Sequence, residues 1–357
     1  MYKNNYNVIG VMSGTSLDGV DLAFVNFSFN DKWTFKILKS KTVPYSNEWV
    51  NRLKKAIDFS KTELDELNIN YTFLLAQIIN EFIDANNLKA IDAICSHGHT
   101  ILHKPNLGYT LQIGNLPILS ELTKQNIVYD FRVQDVELGG QGAPLVPIGD
   151  RLLFSQYDYC LNLGGFSNIS FEKNHKRIAF DISPVNTVLN YYANKQNLPY
   201  DDEGLIAKSG SLNLGLFDEL NQSDYYKKSY PKSLGVEFVN KVVLPIIESS
   251  ELSVKDLLNT FVEHVAFQMS QVITKKGATL LISGGGVYNT FLIERITYYL
   301  PDAKIILPDH QIIEYKEALI FAFLGVLKLR DEINVLSSVT GASINHSSGK
   351  VVLKNLK

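Results

Sequence analysis

Apolar residues fall first in short alternating or continuous runs and then at spacings of three and four, a pattern that predicts strands followed by helices. Val8–Met12, Val20–Phe27 and Thr34–Val43 read as three strands, rich in Val, Ile and Phe and punctuated by Gly, Asn and Asp. Two helices are expected next, over 48–59 and 61–86, the second with Leu64, Leu67, Phe73, Leu74, Ile78 and Phe82 at helical spacing. A short buried strand, Ile91–Ser96, precedes a hairpin-like stretch at 109–113. A helix near 116–124 and a strand at Ile127–Tyr129 complete the series.

The same order returns after the Gly/Pro-rich connector ELGGQGAPLVP, residues 137–147. Tyr159–Leu163, Ile169–Glu172 and Arg177–Ile182 are read as strands, with helices near 185–195 and 254–275. Strands at Thr279–Ser283 and Lys304–Leu307 flank a helix over 289–300, and a long helix over 314–329 closes the pattern. Each half reads βββαβαβ. A duplicated α/β plan is therefore expected, with mixed sheets and one lobe in residues 1–130 and the other in 131–357. The polar stretch 210–230 reads as an exposed or mobile insertion without assignable chemistry.

Composition supports a folded two-lobed chain: 357 residues, 45% hydrophobic and 20% charged. The net charge of −3 leaves no basic surplus for a nucleic acid backbone or an anionic membrane, so neither is expected as a partner. No stretch approaches the roughly 20 apolar residues that span a bilayer, and the amino terminus lacks a signal-like apolar region. Cys95 and Cys160 both lie in apolar runs and are expected as buried thiols in a reducing compartment, hence a cytoplasmic location. Oligomeric state, a homodimer among the options, is open at this level.

Glycine-rich loops supply the candidate chemistry. GVMSGTSLDGVD and LNLGGFSNIS each lie between the first two strands of a half, and LLISGGGVYN follows the strand at 279–283. Ser13, Thr15 and Ser16 add hydroxyl donors to backbone N–H groups, a combination suited to phosphate oxygens. Asp18 and Asp21 would repel phosphate unless a hard cation lay between, and Mg²⁺ holding its own waters is the expected mediator. Neither a GxGxxG fingerprint nor a Walker A sequence occurs, so nucleotide binding would have to use the duplicated strand–loop–strand plan.

These segments resemble the actin, Hsp70 and hexokinase superfamily, which has two ribonuclease H-like lobes and a central ATP cleft. Within it they are similar to the anhydro-N-acetylmuramic acid kinases. The similarity rests on GVMSGTSLDGVD, SHGHTILHKP, DFRVQDVELGGQGAPLVP, LNLGGFSNIS, LISGGGVYN, EYKEALIFAFLG and SVTGA, in that order along nearly the whole chain. The resemblance implies an ATP-dependent enzyme that opens the 1,6-anhydro ring of anhydro-N-acetylmuramic acid and phosphorylates O6, giving N-acetylmuramic acid 6-phosphate in cell-wall recycling. It implies ATP contacts at Gly14, Thr15, Ser16, Leu17, Asp18, Gly19, Val20, Asp21, Gly164 and Gly165. Gly284, Gly285, Gly286 and Asn289 are then expected toward adenosine, with Asp18 and Asp21 on Mg²⁺ through water.

Asp181, in AFDISPVN, stands where the family has its catalytic aspartate, the base for the attacking water. The segment departs from the usual D-T-G-P-G-N: Ser183 and Val185 replace glycines, and their Cβ atoms bear on how closely a ligand reaches the backbone. His97, Arg132 and Asp135 are the expected sugar contacts, the Arg132 fork matching the lactyl carboxylate of the substrate. Two other readings stay open. His97, His99 and His103 could hold a hydrolytic zinc with Asp130 or Asp135, making a metal-dependent hydrolase, although the family commonly has Gln where His99 stands. A non-enzymatic, ATP-gated binding protein of the same superfamily is the second.

Overall fold

The computed structural model describes residues 2–14 and 16–354, so the expected phosphate contact Thr15 lies outside the described residues. The chain divides into two compact units, residues 1–153 with 315–357, and residues 154–314.

In the first unit the opening meander is β1 (Asn5–Ser13), β2 (Gly19–Asn30) and β3 (Lys32–Pro44), all antiparallel. The helix Lys61–Ala85 follows, started by a capping box in which Ser60 and Glu63 satisfy each other's backbone N–H groups. Its apolar face places Leu64, Leu67, Leu75, Ile78, Ile79 and Phe82 in the core with Ile9, Val11, Val20 and Leu22 of the sheet. Next come β4 (Ala93–Lys104), β5 (Tyr109–Ile113) and β6 (Ile127–Tyr129), with β4 parallel to both β1 and β6, and β5 folded back antiparallel on β4.

The second unit repeats the plan. Its meander is β7 (Tyr159–Leu163), β8 (Phe166–Lys173) and β9 (Lys176–Pro184), antiparallel throughout, and β10 (Thr279–Ser283) and β11 (Lys304–Ile306) add in parallel beside β7. The strand order β11-β10-β7-β8-β9 matches β6-β4-β1-β2-β3 of the first unit. The duplicated, ribonuclease H-like order expected from the sequence is thus present. A last strand, β12 (Lys350–Val352), extends the first sheet antiparallel to β6; three residues are too few to carry a period in the sequence.

A boundary at residue 130 does not describe the compact units. Residues 131–153 and 315–357 belong with the first, because residues 315–329 of the helix His310–Leu329 lie on its sheet. Phe323 packs between Phe27 and Trp33, and Phe321 against Phe131 and His97. Gly10 of β1 permits this approach: a Cβ there would stand 1.9 Å from the Ala318 carbonyl oxygen. Sequence spacing finds this helix but not the sheet it covers. The polar stretch 210–230 is also not a structureless insertion. It forms the helices Leu214–Asn221 and Asp224–Lys227, whose Leu216, Leu220 and Tyr225 are buried. Among the described residues no helix is long and apolar enough to cross a membrane, and Cys95 and Cys160 are both buried and not joined in a disulfide.

Candidate active site

In each sheet the connections leave the central strand in opposite directions, toward the meander and toward the parallel strands. Ligands of α/β sheets gather at the carboxyl ends of such strands. In the first unit the parallel pairing ends at Ser13 of β1 and His99 of β4, which stand in register. In the second the strand ends are Leu163 of β7 and Ser283 of β10, which is paired with Asn162. All the expected site residues described here fall at or just beyond these four ends, or on β9 and the segment after β6.

At the end of β1, Ser13 is buried in a polar knot. Its Oγ lies 2.6 Å from the Tyr45 hydroxyl and 2.8 Å from His99 Nδ1, and it accepts from the Tyr71 hydroxyl at 2.8 Å. The Tyr45 and Tyr71 hydroxyls also bond one another. Burial pushes the His99 ring down to about 4, so it is neutral at ordinary pH. Beyond this knot the chain turns through Gly14, with Leu17 N–H bonding the Gly14 carbonyl, and Leu17 takes a left-handed φ of 63°. Ser16 and Asp18 are exposed, the Ser16 hydroxyl donating to Asp18 Oδ1 at 2.6 Å. Gly19 and Val20 begin β2 and are buried, and Asp21 accepts from Thr42 at 2.6 Å. Asp18 and Asp21 both bear electrostatically on Tyr45, whose hydroxyl is held above its ordinary pKa chiefly by burial. A solvent-facing carboxylate beside a half-buried one, on a turn rich in backbone N–H groups, fits a water-shelled Mg²⁺, which needs only one or two carboxylates.

His97 and Arg132 form a second group. His97 Nδ1 lies 2.8 Å from the Gly98 carbonyl and so carries the proton, while Nε2 accepts from Arg132 Nε at 2.8 Å. Burial first and the Arg132 charge second push this ring well below its ordinary pKa. Arg132 donates again from Nη1 to the Gly142 carbonyl at 2.6 Å and lies over the Phe321 ring. Burial lowers it to about 10, so it stays cationic at neutral pH. It forms no ion pair with Asp130 or Asp135: Asp130 is taken by Lys350 at 2.6 Å. Asp135 is fully buried, accepting from Gly142 N–H at 2.7 Å and from Thr340 at 2.7 Å. Asp135 therefore holds the 137–147 loop against the SVTGA segment.

A residue without an assigned role in the sequence reading joins this group. Glu317, on the helix His310–Leu329, is reached by solvent and feels the charges of Arg132, Lys316 and Asp18. Partial loss of hydration nevertheless raises its carboxyl above the ordinary range. The EYKEALIFAFLG motif carried it, but no spacing rule ties residue 317 to residues 18 and 132.

The three histidines do not make a metal centre. His97 is spent on Gly98 and Arg132, His99 on Ser13, and His103 Nδ1 on Thr110 Oγ1 at 3.0 Å. Among the described residues no group of three or more His, Cys, Asp or Glu is arranged for a metal ion. The hydrolase reading fails on this geometry.

In the second unit the glycine segments meet. A Cβ on Gly284, at φ 86°, would lie 2.6 Å from Asn162 Oδ1 and 2.8 Å from the Leu163 carbonyl oxygen, and Gly286 also packs on Leu163. The two turns thus lie side by side at the ends of β7 and β10. Gly164 and Gly165 turn their carbonyls toward the start of the helix Asn186–Asn194, accepting from the N–H groups of Val185, Asn186 and Thr187. Gly285 faces open space. Asn289 is buried and caps the helix Thr290–Tyr299 through Leu292 N–H at 2.9 Å, so its oxygen is committed and only its amide NH₂ remains for a ligand. The Ser183 and Val185 side chains that replace glycines point inward: both are fully buried, with Ser183 bonded to Ser167.

Asp181 is half-buried on β9, opposite Asn168. Its Oδ2 accepts from Leu234 N–H at 2.8 Å, and its main-chain oxygen accepts from the Tyr225 hydroxyl at 2.6 Å. Burial raises its carboxyl above the ordinary aspartate range, with the Leu234 bond pulling the other way. A carboxylate with a lifted pKa and one oxygen left open has the character of a general base.

A family model described as anhydro-N-acetylmuramic acid kinase matches residues 6–354. This chain belongs to the anhydro-N-acetylmuramic acid kinase family. It is 35% identical to the Pasteurella multocida anhydro-N-acetylmuramic acid kinase, covering 97% of this chain and 96% of that one. The Sulfurimonas denitrificans kinase is 34% identical over 94% and 96%, and that of Haemophilus influenzae 33% over 97% and 98%. Among solved structures, the chain is similar to component A of the Acidaminococcus fermentans (R)-2-hydroxyglutaryl-CoA dehydratase, at 11% identity and a TM-score of 0.47 over 89% and 96%. Family membership also removes the non-enzymatic reading.

Proposed function

We propose that this chain performs the reaction of its family, hydrolysing the 1,6-anhydro ring of anhydro-N-acetylmuramic acid and phosphorylating O6, with Asp181 as the base. The observation that carries the reading is the family match over residues 6–354, at about a third identity to curated kinases along nearly the full length. Asp181 Oδ1 takes a proton from a water as the water's oxygen adds to C1; the C1–O6 bond breaks, and O6 forms its bond to the γ-phosphorus as ADP departs. Arg132, oriented by His97 and the Gly142 carbonyl, holds the lactyl carboxylate, while Asp135 keeps the 137–147 loop in place. Glu317 lies within the field of both Arg132 and Asp18, where sugar and phosphate chemistry have to be matched.

The phosphates are read by Gly14–Asp21 and Gly164–Gly165, and adenosine by Gly284–Gly286 with the Asn289 amide. Asp18 and Asp21 hold the Mg²⁺ through water, and the ion supplies charge neutralisation on the phosphates. Two buried cysteines that form no disulfide suit a reducing cytoplasm. Incubating the protein with Mg-ATP and anhydro-N-acetylmuramic acid should yield a sugar whose mass has gained one water and one phosphoryl group. Either gain without the other would overturn the coupled reaction.

A further inference from the structure

The catalytic aspartate lies on β9, an edge strand whose outer backbone groups need covering. What covers it is the segment after the helix Leu214–Asn221, made of the short helix Asp224–Lys227 and the irregular stretch beyond it. Asp181 N–H donates to the Lys232 carbonyl at 3.4 Å, the Leu234 N–H reaches Oδ2 at 2.8 Å, and the Tyr225 hydroxyl reaches the Asp181 main-chain oxygen at 2.6 Å. Three contacts from one stretch of ten residues thus converge on a single aspartate.

The stretch is itself clamped. Tyr230 stacks on Phe180 at 5.7 Å with rings 10° from parallel. The Lys232 ammonium sits over the Phe180 and Tyr225 rings and donates to the Tyr225 carbonyl at 3.3 Å. Tyr225 packs on Phe238, and Tyr226 bonds His264 Nε2 at 2.9 Å, which ties the segment to the helix Val254–Val272 through Asn221. We propose that Tyr225–Leu234 is a strap that positions Asp181 for catalysis, the Leu234 N–H fixing Oδ2 so that Oδ1 alone faces the water. Leu234 acts here through its backbone and is a positioning residue. The inference rests on the reading of Asp181 as base.

The groups around Asp181 are few. On the strap, Tyr225 couples to it electrostatically, and Lys232, its charge directed at the two rings, forms no ion pair with it. Asn168 opposite on β8 is neutral. On the helix behind, His264 turns to Tyr226 and Asn221, and Glu263 to Arg295. The Leu234 N–H is accordingly the main local influence keeping the carboxylate ionised.

The test is the pH profile of kcat/KM. Leu234→Pro deletes the N–H, whereas Leu234→Ala keeps it. A hydrogen bond to a charged group is worth about 1.5–3 kcal/mol, which corresponds to an acid limb displaced upward by about 1–2 pH units in Leu234→Pro. Leu234→Ala should keep the limb of the native protein. A limb unmoved in Leu234→Pro, or moved equally in both variants, overturns the strap. Should Leu234→Pro fail to fold, Tyr225→Phe removes the side-chain anchor while keeping the ring; it should lower kcat several-fold and leave KM for ATP unchanged, and an unchanged kcat counts against the strap. Asp181→Asn separates the two ideas: retained turnover there removes the base, whereas lost turnover with an unmoved Leu234→Pro limb removes only the strap.

Discussion

The two sheets have the same strand order and place their candidate residues at the same ends, yet they stiffen those ends differently. At the end of β1 and β4, side chains do it: Ser13, Tyr45, Tyr71 and His99 form one knot, and His97, Arg132 and Asp135 another. At the end of β7 and β10 the backbone does it, through glycines pressed onto Leu163 and carbonyls of Gly164 and Gly165 bonded to a helix start. One carboxylate, Asp181, is then held by a single main-chain donor, the Leu234 N–H. A side-chain network suits a varied ligand such as a sugar, whose carboxylate and hydroxyls need aimed partners. Glycine-lined turns suit a nucleotide, whose phosphates and ring ask for close backbone approach. Duplication has supplied two scaffolds, and the difference lies in how their loops are held.

The comparison breaks most sharply at Asp181. Asp181→Asn should cost roughly 10²–10⁴-fold in turnover, the usual worth of a positioned base, with KM for ATP and thermal midpoint near those of the native protein. A loss of ATP affinity of similar size would make Asp181 part of the nucleotide site instead. Arg132→Lys comes next: it cannot reproduce the fork that serves His97 and Gly142. About 1.5–3 kcal/mol of charged hydrogen bonding is at stake, so KM for the sugar should rise roughly tenfold or more. KM for ATP should stay put, and unchanged sugar KM would remove Arg132 as anchor.

The opposite split is expected at Gly284→Ala. Its φ of 86° and the contacts its Cβ would meet at Asn162 and Leu163 should cost about 1–3 kcal/mol of stability. KM for ATP should rise more than KM for the sugar; equal rises in both would erase the contrast between the two ends.

The effect smallest at neutral pH concerns acid. His99 and His264 are buried neutral, with folded pKa values of about 4 and about 3, below the unfolded value of about 6.5. The unfolded chain therefore takes up protons first. Stability is complete above about pH 6.5 and falls as pH drops toward the folded values, by at most about 1.4 kcal/mol per pH unit for each ring. Urea unfolding of His99→Gln should show a shallower decline between those limits, and that of His264→Gln a decline shallower to lower pH still. Slopes matching the native protein in both would mean that neither buried ring contributes.

Strand periods, glycine clusters and the order of motifs were legible in the chain because they depend on residues near one another in sequence. Alternation and helical spacing state whether a segment is half-buried and with which period, and so both copies of βββαβαβ could be read without coordinates. Asp181, Arg132 and the glycine turns could be named as candidates as well, through the family resemblance of the continuous segments that carry them. What could not be read is who holds them. That Arg132 spends its fork on His97 rather than on Asp130 or Asp135, that residues 315–329 return to the first sheet through Gly10, and that the polar stretch after residue 210 ends in a strap on Asp181 are pairings between residues far apart in the chain. Such pairings are decided by which surfaces remain to be covered once the sheets have formed, a competition among packing alternatives that local pattern does not encode.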